Sequence, residues 1–207
     1  GTIGGVFAAY FALKGLNVNV YVRSEASKER AIPHIQGPID SYVKLGLLDD
    51  GQKIWEKIKI TTDPAEASTA DVVILAVNPN QIPNVTKSLK PHLSKETIVI
   101  SIACGVALAT LEEQLGADKK ILRVMPNTLI QSGNGYSAAC INPNVNDDDK
   151  VIITTVLNAL GQTMYVTENM FETFTAFCCT GPIWFYKTVE ALMSLELPAG
   201  VDIEIKL

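Results

Sequence analysis

Two glycines three residues apart, in Gly1-Thr2-Ile3-Gly4, stand directly ahead of the apolar run Val6 to Leu13. That is the spacing of the second and third glycines of a G-x-G-x-x-G fingerprint. The second glycine lets a backbone approach a pyrophosphate, and the third lets a helix pack closely on a sheet. The helix N-terminus then offers free N–H groups to the anion. A glycine turn before a buried helix is the plain alternative. Strand, helix and strand fall at the intervals that a dinucleotide site needs, which favours Gly1, Thr2, Ile3 and Gly4 as pyrophosphate contacts.

The end of the following strand selects the nucleotide. An Asp or Glu there would accept bonds from a ribose 2′-hydroxyl. This chain has Tyr21-Val22-Arg23-Ser24, with Lys28 close behind. A guanidinium, a hydroxyl and an ammonium suit a 2′-phosphate dianion. NADP(H) is therefore the expected cofactor, with Glu25 the residue that argues for NAD(H) and a solvated basic helix start the alternative. Two later strand ends carry small residues, Ala76-Val77-Asn78-Pro79 and Ile102-Ala103-Cys104. Both would let a flat nicotinamide–ribose lie on the backbone, although ordinary strand-to-helix turns use the same residues. Asn127 follows Arg123-Val124-Met125-Pro126, where its amide could bond the nicotinamide carboxamide or a substrate.

The elements that must position these residues alternate along the chain. Strands are expected at 17–22, 57–61, 71–77, 97–102, 120–125, 136–140 and 164–166. Helices are expected at 4–14, 82–93, 108–115 and 145–160, with a short helix or turn at 64–69. Residues 24–48 read as helical pieces broken by Pro33, Gly37 and Pro38. Asp71 to Val77 is nearly all apolar, as a strand buried on both faces should be. Such alternation implies right-handed βαβ units in a doubly wound, mostly parallel α/β sheet. From Asn169 the pattern turns helical and aromatic, so the expected domains are 1–168 for the cofactor and 169–207 for the start of a helical dimerisation and substrate domain.

Composition narrows the function classes. The chain has 207 residues, is 47% apolar and carries a net charge of −5. That suits a folded domain and argues against a generic nucleic-acid or anionic-membrane binder. No segment reaches the ~18 consecutive apolar residues of a membrane span. Cys104, Cys140, Cys178 and Cys179 form no C-x-x-C pair and read as reduced thiols, hence a cytoplasmic protein. His34 and His92 are too few for a metal site. Cys178 and Cys179 have no neighbouring base in sequence to activate them and read as small packing residues.

Four segments together are specific. Ala76-Val77-Asn78-Pro79, Ser101-Ile102-Ala103-Cys104-Gly105-Val106, Arg123-Val124-Met125-Pro126-Asn127-Thr128 and Thr175-Ala176-Phe177-Cys178-Cys179-Thr180-Gly181-Pro182 resemble, in that order and spacing, the pyrroline-5-carboxylate reductase family. The resemblance runs from about Thr61 to Leu192. The N-terminal part is closer to the wider 6-phosphogluconate and hydroxyacyl-CoA dehydrogenase superfamily. It implies a Rossmann-type domain followed by a dimerising helical domain, and reduction of the cyclic imine Δ1-pyrroline-5-carboxylate to L-proline with NAD(P)H. It also implies a homodimer or higher oligomer, and Asn127 and Thr180 as candidate substrate contacts. No catalytic acid stands out.

The chain departs from the family pattern in three places. Asn78 stands where the family usually has Lys. Cys179 replaces a glycine, and residues 33–56 are longer than the family norm. The chain reads as truncated at both ends, with the first, central strand expected in ~10 residues before Gly1. Another NAD(P)-dependent hydroxyacid or ketoacid reductase is the competing reading. A cofactor-binding fragment without turnover is the third.

Overall fold

The computed structural model describes residues 2–132 and 135–194. Its strands form two sheets, one parallel and one mixed. β1 (Val18–Tyr21) pairs in parallel with β2 (Ile58–Thr61). β3 (Val72–Leu75), β4 (Ile98–Ser101), β5 (Lys120–Met125), β6 (Gly135–Ile141) and β7 (Gly161–Tyr165) follow in that order in a second sheet. β3, β4 and β5 are parallel, β6 runs antiparallel to β5, and β7 is parallel to β6. Helices link them: α1 (Thr2–Leu13), α2 (Glu25–Lys44), α3 (Gln52–Trp55), α4 (Pro64–Ala67), α5 (Ile82–Leu89), α6 (Leu108–Leu115) and α7 (Asp147–Asn158). The doubly wound α/β architecture is as expected. No helix among the described residues is long and apolar enough to cross a membrane.

β4 and β5 are buried along their whole length, because helices cover both faces. Leu111 and Leu115 of α6 pack with Val85 and Leu89 of α5 on one face. Phe7 and Phe11 of α1, with Ile153 and Leu157 of α7, fill the other. α7 starts with a capping box between Asn146 and Asp149. Asp149 also meets Lys120 Nζ at 2.9 Å, which ties the start of α7 to the start of β5.

One local expectation fails. Residues 25–44 form a single helix, α2, that contains Pro33, Gly37 and Pro38. Each proline removes an i→i−4 bond, at a cost of ~3 kcal/mol in a helix interior. Ala31, Ile35 and Ile39 recur every four residues and are buried, and Ile35 and Ile39 pack with Ala8, Ala9 and Ala12 of α1. That continuous apolar stripe offsets the lost backbone bonds. Closeness of the two helices is set by Gly5, where a Cβ would meet His34 Cβ at 2.6 Å and its carbonyl oxygen at 2.8 Å. The tight-packing glycine is thus Gly5. A Cβ on Gly4 would make only ordinary contact, 3.5 Å from Ala76 Cβ.

Beyond β7 the chain runs through α8 (Phe171–Phe174), a π-helical turn (Thr175–Cys179) and α9 (Gly181–Met193). Phe171 and Phe174 are buried against Met125, Ala138 and Cys140. Trp184 and Phe185 of α9 are 62% and 60% exposed, so α9 leaves an aromatic surface uncovered among the described residues.

The two sheets do not join. A cavity of about 970 Å³ separates β1 from β3, walled by Val18, Val20, Val72, Ile74, Phe11 and Val156. Val18 N and Val22 N bond Lys57 O and Thr61 O, so Asn19 and Tyr21 turn their backbone groups toward the gap. Ile98 N and Ile102 N bond Asp71 O and Leu75 O, so Val72 and Ile74 face it from the other side. The gap is one strand wide in its chemistry: apolar walls and two parallel edges with unspent N–H and C=O groups. Fusing six alternating Val and Ile residues ahead of Gly1 should fill it, raise the melting temperature and lower the fluorescence of the apolar dye ANS. Burying each such side chain contributes ~1.5–3 kcal/mol. Unchanged melting and dye binding would show that the gap is closed in solution by other means.

Candidate functional site

The C-terminal ends of β1, β3 and β4 come to one place. Gly4, Arg23, Ala76, Val77 and Gln81 line the same opening of the cavity between β1 and β3. β3 and β4 pair with Leu75 opposite Ser101, and Ile102 N donates to Leu75 O at 3.3 Å. That register sets Ile102 beside Ala76. Thr2 and Ile3 form the exposed first turn of α1. Gly1 lies outside the described residues.

The second strand end is more varied than the sequence reading. Arg23 is exposed, and its Nη1 donates to Gln81 Oε1 at 2.7 Å. Ser24 is the N-cap of α2, its Oγ accepting from Ser27 N at 3.3 Å. Lys28 does not line the opening; its nearest carboxylate is Glu25, at 3.9 Å. Ser27, Arg30 and His34 do line it, and sequence reasoning missed them. They sit at i, i+3 and i+7 from Ser27, one face of a helix, but the expected breaks at Pro33 and Gly37 hid that periodicity.

Asn78 and Pro79 are exposed at the end of β3, where Pro79 opens a short 3₁₀ turn. Ala103 is buried, and its N–H donates to Ser101 Oγ at 3.3 Å. Cys104 is exposed just beyond. Small residues thus do occupy both strand ends.

Asn127 is placed differently. It is buried, and its Oδ1 accepts from Leu129 N and Tyr136 N, both at 3.2 Å. Its Nδ2 donates to Cys178 O at 3.5 Å. Both ends of the amide contact backbone, so Asn127 ties the loop after β5 to the π-helical turn. Thr180 is exposed, but its hydroxyl donates to Ala176 O and keeps only lone pairs for a ligand. Cys179 Sγ donates to Pro126 O at 3.6 Å, and burial pushes its thiol up to about 11. Burial, with the Glu168 carboxylate beside it, pushes Cys140 up to about 11 as well. Neither is a nucleophile at neutral pH, in line with a packing role for Cys179. At pH 7.5 a maleimide should label exposed Cys104 well before Cys140 or Cys179, as peptide mapping would read. Labelling of Cys179 first would contradict its burial.

Arg123 fixes the helical segment over this region. Its side chain is 4% exposed, with Nη1 at 2.8 Å from Glu168 Oε1 and Nη2 at 2.6 Å from Glu172 Oε1. Its guanidinium carbon lies 4.1 Å from the centre of the Phe171 ring. Glu168 Oε1 also accepts from Leu108 N at 3.2 Å, at the start of α6. The two carboxylates are 39% and 66% exposed, so they can rehydrate when Arg123 is removed. The guanidinium cannot rehydrate when they are removed. Glu168→Gln with Glu172→Gln should therefore cost ~3 kcal/mol or more in urea unfolding, and Arg123→Met only ~1–2 kcal/mol. The reverse order would show that Arg123 reaches solvent.

Among the described residues no group of three or more His, Cys, Asp or Glu is placed to hold a metal ion. The residues do fit a dinucleotide. The crevice lies at the carboxyl ends of parallel strands, beside the N-terminus of α1, with small side chains on its floor and guanidinium groups at its mouth.

Comparison with known proteins agrees. Residues 1–126 match the family described as 3-hydroxyacyl-CoA dehydrogenase, NAD binding domain, and the chain belongs to that NAD-binding family. Within it, the resemblance to pyrroline-5-carboxylate reductases holds over almost the whole chain, including the N-terminal part. The chain is 28% identical over 204 residues to that reductase from Aquifex aeolicus, covering 99% of this chain and 69% of the relative. It is 31% identical over 147 residues to the one from Arabidopsis thaliana, covering 71% and 53%. The reductase structure from Coxiella burnetii superposes with a TM-score of 0.73 at 28% identity, over 93% of this chain and 66% of that one. The Plasmodium falciparum pyrroline carboxylate reductase, solved with NADP bound, gives 0.72 at 26% identity, over 93% and 64%. (S)-3-hydroxybutyryl-CoA dehydrogenase from Ralstonia eutropha, at 18% identity and a TM-score of 0.71, shares the fold. The chain spans about half the length of several curated relatives, 53% of the Arabidopsis protein and 44% of the Bacillus subtilis one.

Proposed function

We propose that this chain supplies the NADPH-binding body of a reductase that converts Δ1-pyrroline-5-carboxylate to L-proline. The observation that carries this reading is that Gly4, Arg23 and Val77 line one crevice, with Ile102 on the paired strand end beside Ala76 and the segment Cys178-Cys179 held against the loop after β5. Reduced nicotinamide, when bound, supplies the hydride for the imine carbon. The chain's own residues do the placing. α1 presents its N-terminal amides to the pyrophosphate. Ala76, Val77, Ile102 and Ala103 give the flat ring a floor without large side chains. The Arg123 ion pairs and the Asn127–Cys178 bond hold the helical segment where a substrate would meet that floor. Fixing two planar reactants ~3–3.5 Å apart accounts for several kcal/mol of such a barrier.

The expected preference for NADP(H) rests on Arg23, with NAD(H) the lesser cofactor. The segment from residue 169 onward is the start of the helical substrate domain in this reading. Its exposed Trp184 and Phe185 support a homodimer or higher oligomer. The four cysteines, all free, support a cytoplasmic setting.

The test follows NADPH absorbance in a protein extended to the length of its relatives. Pyrroline-5-carboxylate should be turned over and a panel of keto acids should not. Turnover of a keto acid alone would replace this reading with the hydroxyacid or ketoacid reductase. Binding without any turnover would leave a cofactor-binding module. Arg23→Glu should weaken NADPH by tenfold or more, ~1.4 kcal/mol, and leave NADH nearly unchanged.

A further inference from the structure

Arg23, Arg30 and Arg123 are the only arginines of the chain. Arg123 is buried and its two terminal nitrogens are paired with the carboxylates of Glu168 and Glu172. The other two line the mouth of the same crevice, and neither has a carboxylate partner among the described residues. Each is instead held by a neutral side chain. Arg23 Nη1 donates to Gln81 Oε1 at 2.7 Å, from the end of β1 across to the turn after β3. Arg30 Nη2 donates to Ser27 Oγ at 3.0 Å, and Ser27 Oγ lies 3.0 Å from Ser24 Oγ at the start of α2. A neutral partner fixes a guanidinium without neutralising it. Two positive charges at one opening, in a chain of net charge −5, remain available to a dianion. Binding Arg23 through Nη1 alone leaves its Nη2 and Nε edge, two parallel donors, for phosphate oxygens.

We propose that Gln81 and Ser27 are positioning residues, and Arg30 a second binding residue, in a two-arginine cradle for the 2′-phosphate of the phosphorylated dinucleotide. This rests on the cofactor reading above and deepens it. Lys28 falls outside the cradle, because Glu25 already shares its charge and it does not line the opening. Gln81 bridges the β1 and β3 sides of the gap at its mouth through its bond to Arg23, so it sets where Arg23 stands relative to the floor at Ala76 and Val77.

The experiment is calorimetric titration of the full chain with adenosine 2′,5′-bisphosphate and, as the control lacking the 2′-phosphate, with AMP. The bisphosphate should bind ~tenfold or more tightly than AMP. Gln81→Leu and Ser27→Ala should each weaken the bisphosphate ~three- to tenfold, Arg30→Ala ~tenfold, and AMP less than twofold. Arg23→Ala with Gln81→Leu should lose little more than Arg23→Ala alone, because Gln81 acts through Arg23. Unchanged thermal melting of each variant excludes a folding defect. Equal loss for both ligands, no loss, or tighter bisphosphate binding in Gln81→Leu would overturn the proposal. If Arg23→Ala itself leaves bisphosphate binding unchanged, the NADP(H) reading falls with it. If Arg23→Ala weakens binding while Gln81, Ser27 and Arg30 variants do not, only the cradle falls.

Discussion

The parallel pairing of β3 with β4 is the constraint on which the site depends. Leu75 opposite Ser101 is enough to set Ala76 beside Ile102, because parallel ladders carry the register past the last bonded residue. A slip of one residue would turn every side chain of β3 to the opposite face. Val73 and Leu75 would leave the cluster with Val85, Leu89 and Leu111, and Val72 and Ile74 would leave the α1 and α7 side. The packing of both helical layers therefore specifies the register, and the register specifies the floor of the crevice. Site geometry here is a by-product of core packing several residues away.

Much of this was legible because the elements obey simple periods. α6 and β5 lie where the sequence reading puts them, bounded by Gly116 in one case and Pro126 in the other. Gly15 and Gly116 take positive φ, as a helix C-cap glycine should. α2 was not legible as one helix. Proline and glycine are local signals, whereas the pair Ile35 and Ile39 matters only once α1 lies against it. The same tertiary fact moved the tight glycine contact from Gly4 to Gly5, since the close neighbour is His34 of α2.

Site residues divide along a similar line. Small residues after strand ends could be placed directly, because the apolar run of a strand marks where it stops. Asn127 could not, because an amide is equally good at capping a loop and at holding a ligand. The distances to Leu129 N, Tyr136 N and Cys178 O show the loop-capping half of that choice. Gln81 and Arg30 were invisible for a different reason. Each is an ordinary polar residue until the fold brings β1, α2 and the turn after β3 to one opening.

Charge compensation separates what holds the fold from what could hold a ligand. Arg123 is buried, and burial forces its charge to be met inside the protein, by Glu168, Glu172 and the face of Phe171. With both terminal nitrogens held in ion pairs, its work is to fix the helical segment against β5. Arg23 and Arg30 stand in water, where an uncompensated guanidinium costs little, and neutral hydrogen bonds suffice to orient them. Their unmet charge becomes valuable only when a dianion arrives and water leaves, since the attraction strengthens as the local dielectric falls. The same residue type thus does two jobs in this chain, and the chemistry of its partner, carboxylate or neutral, tells them apart.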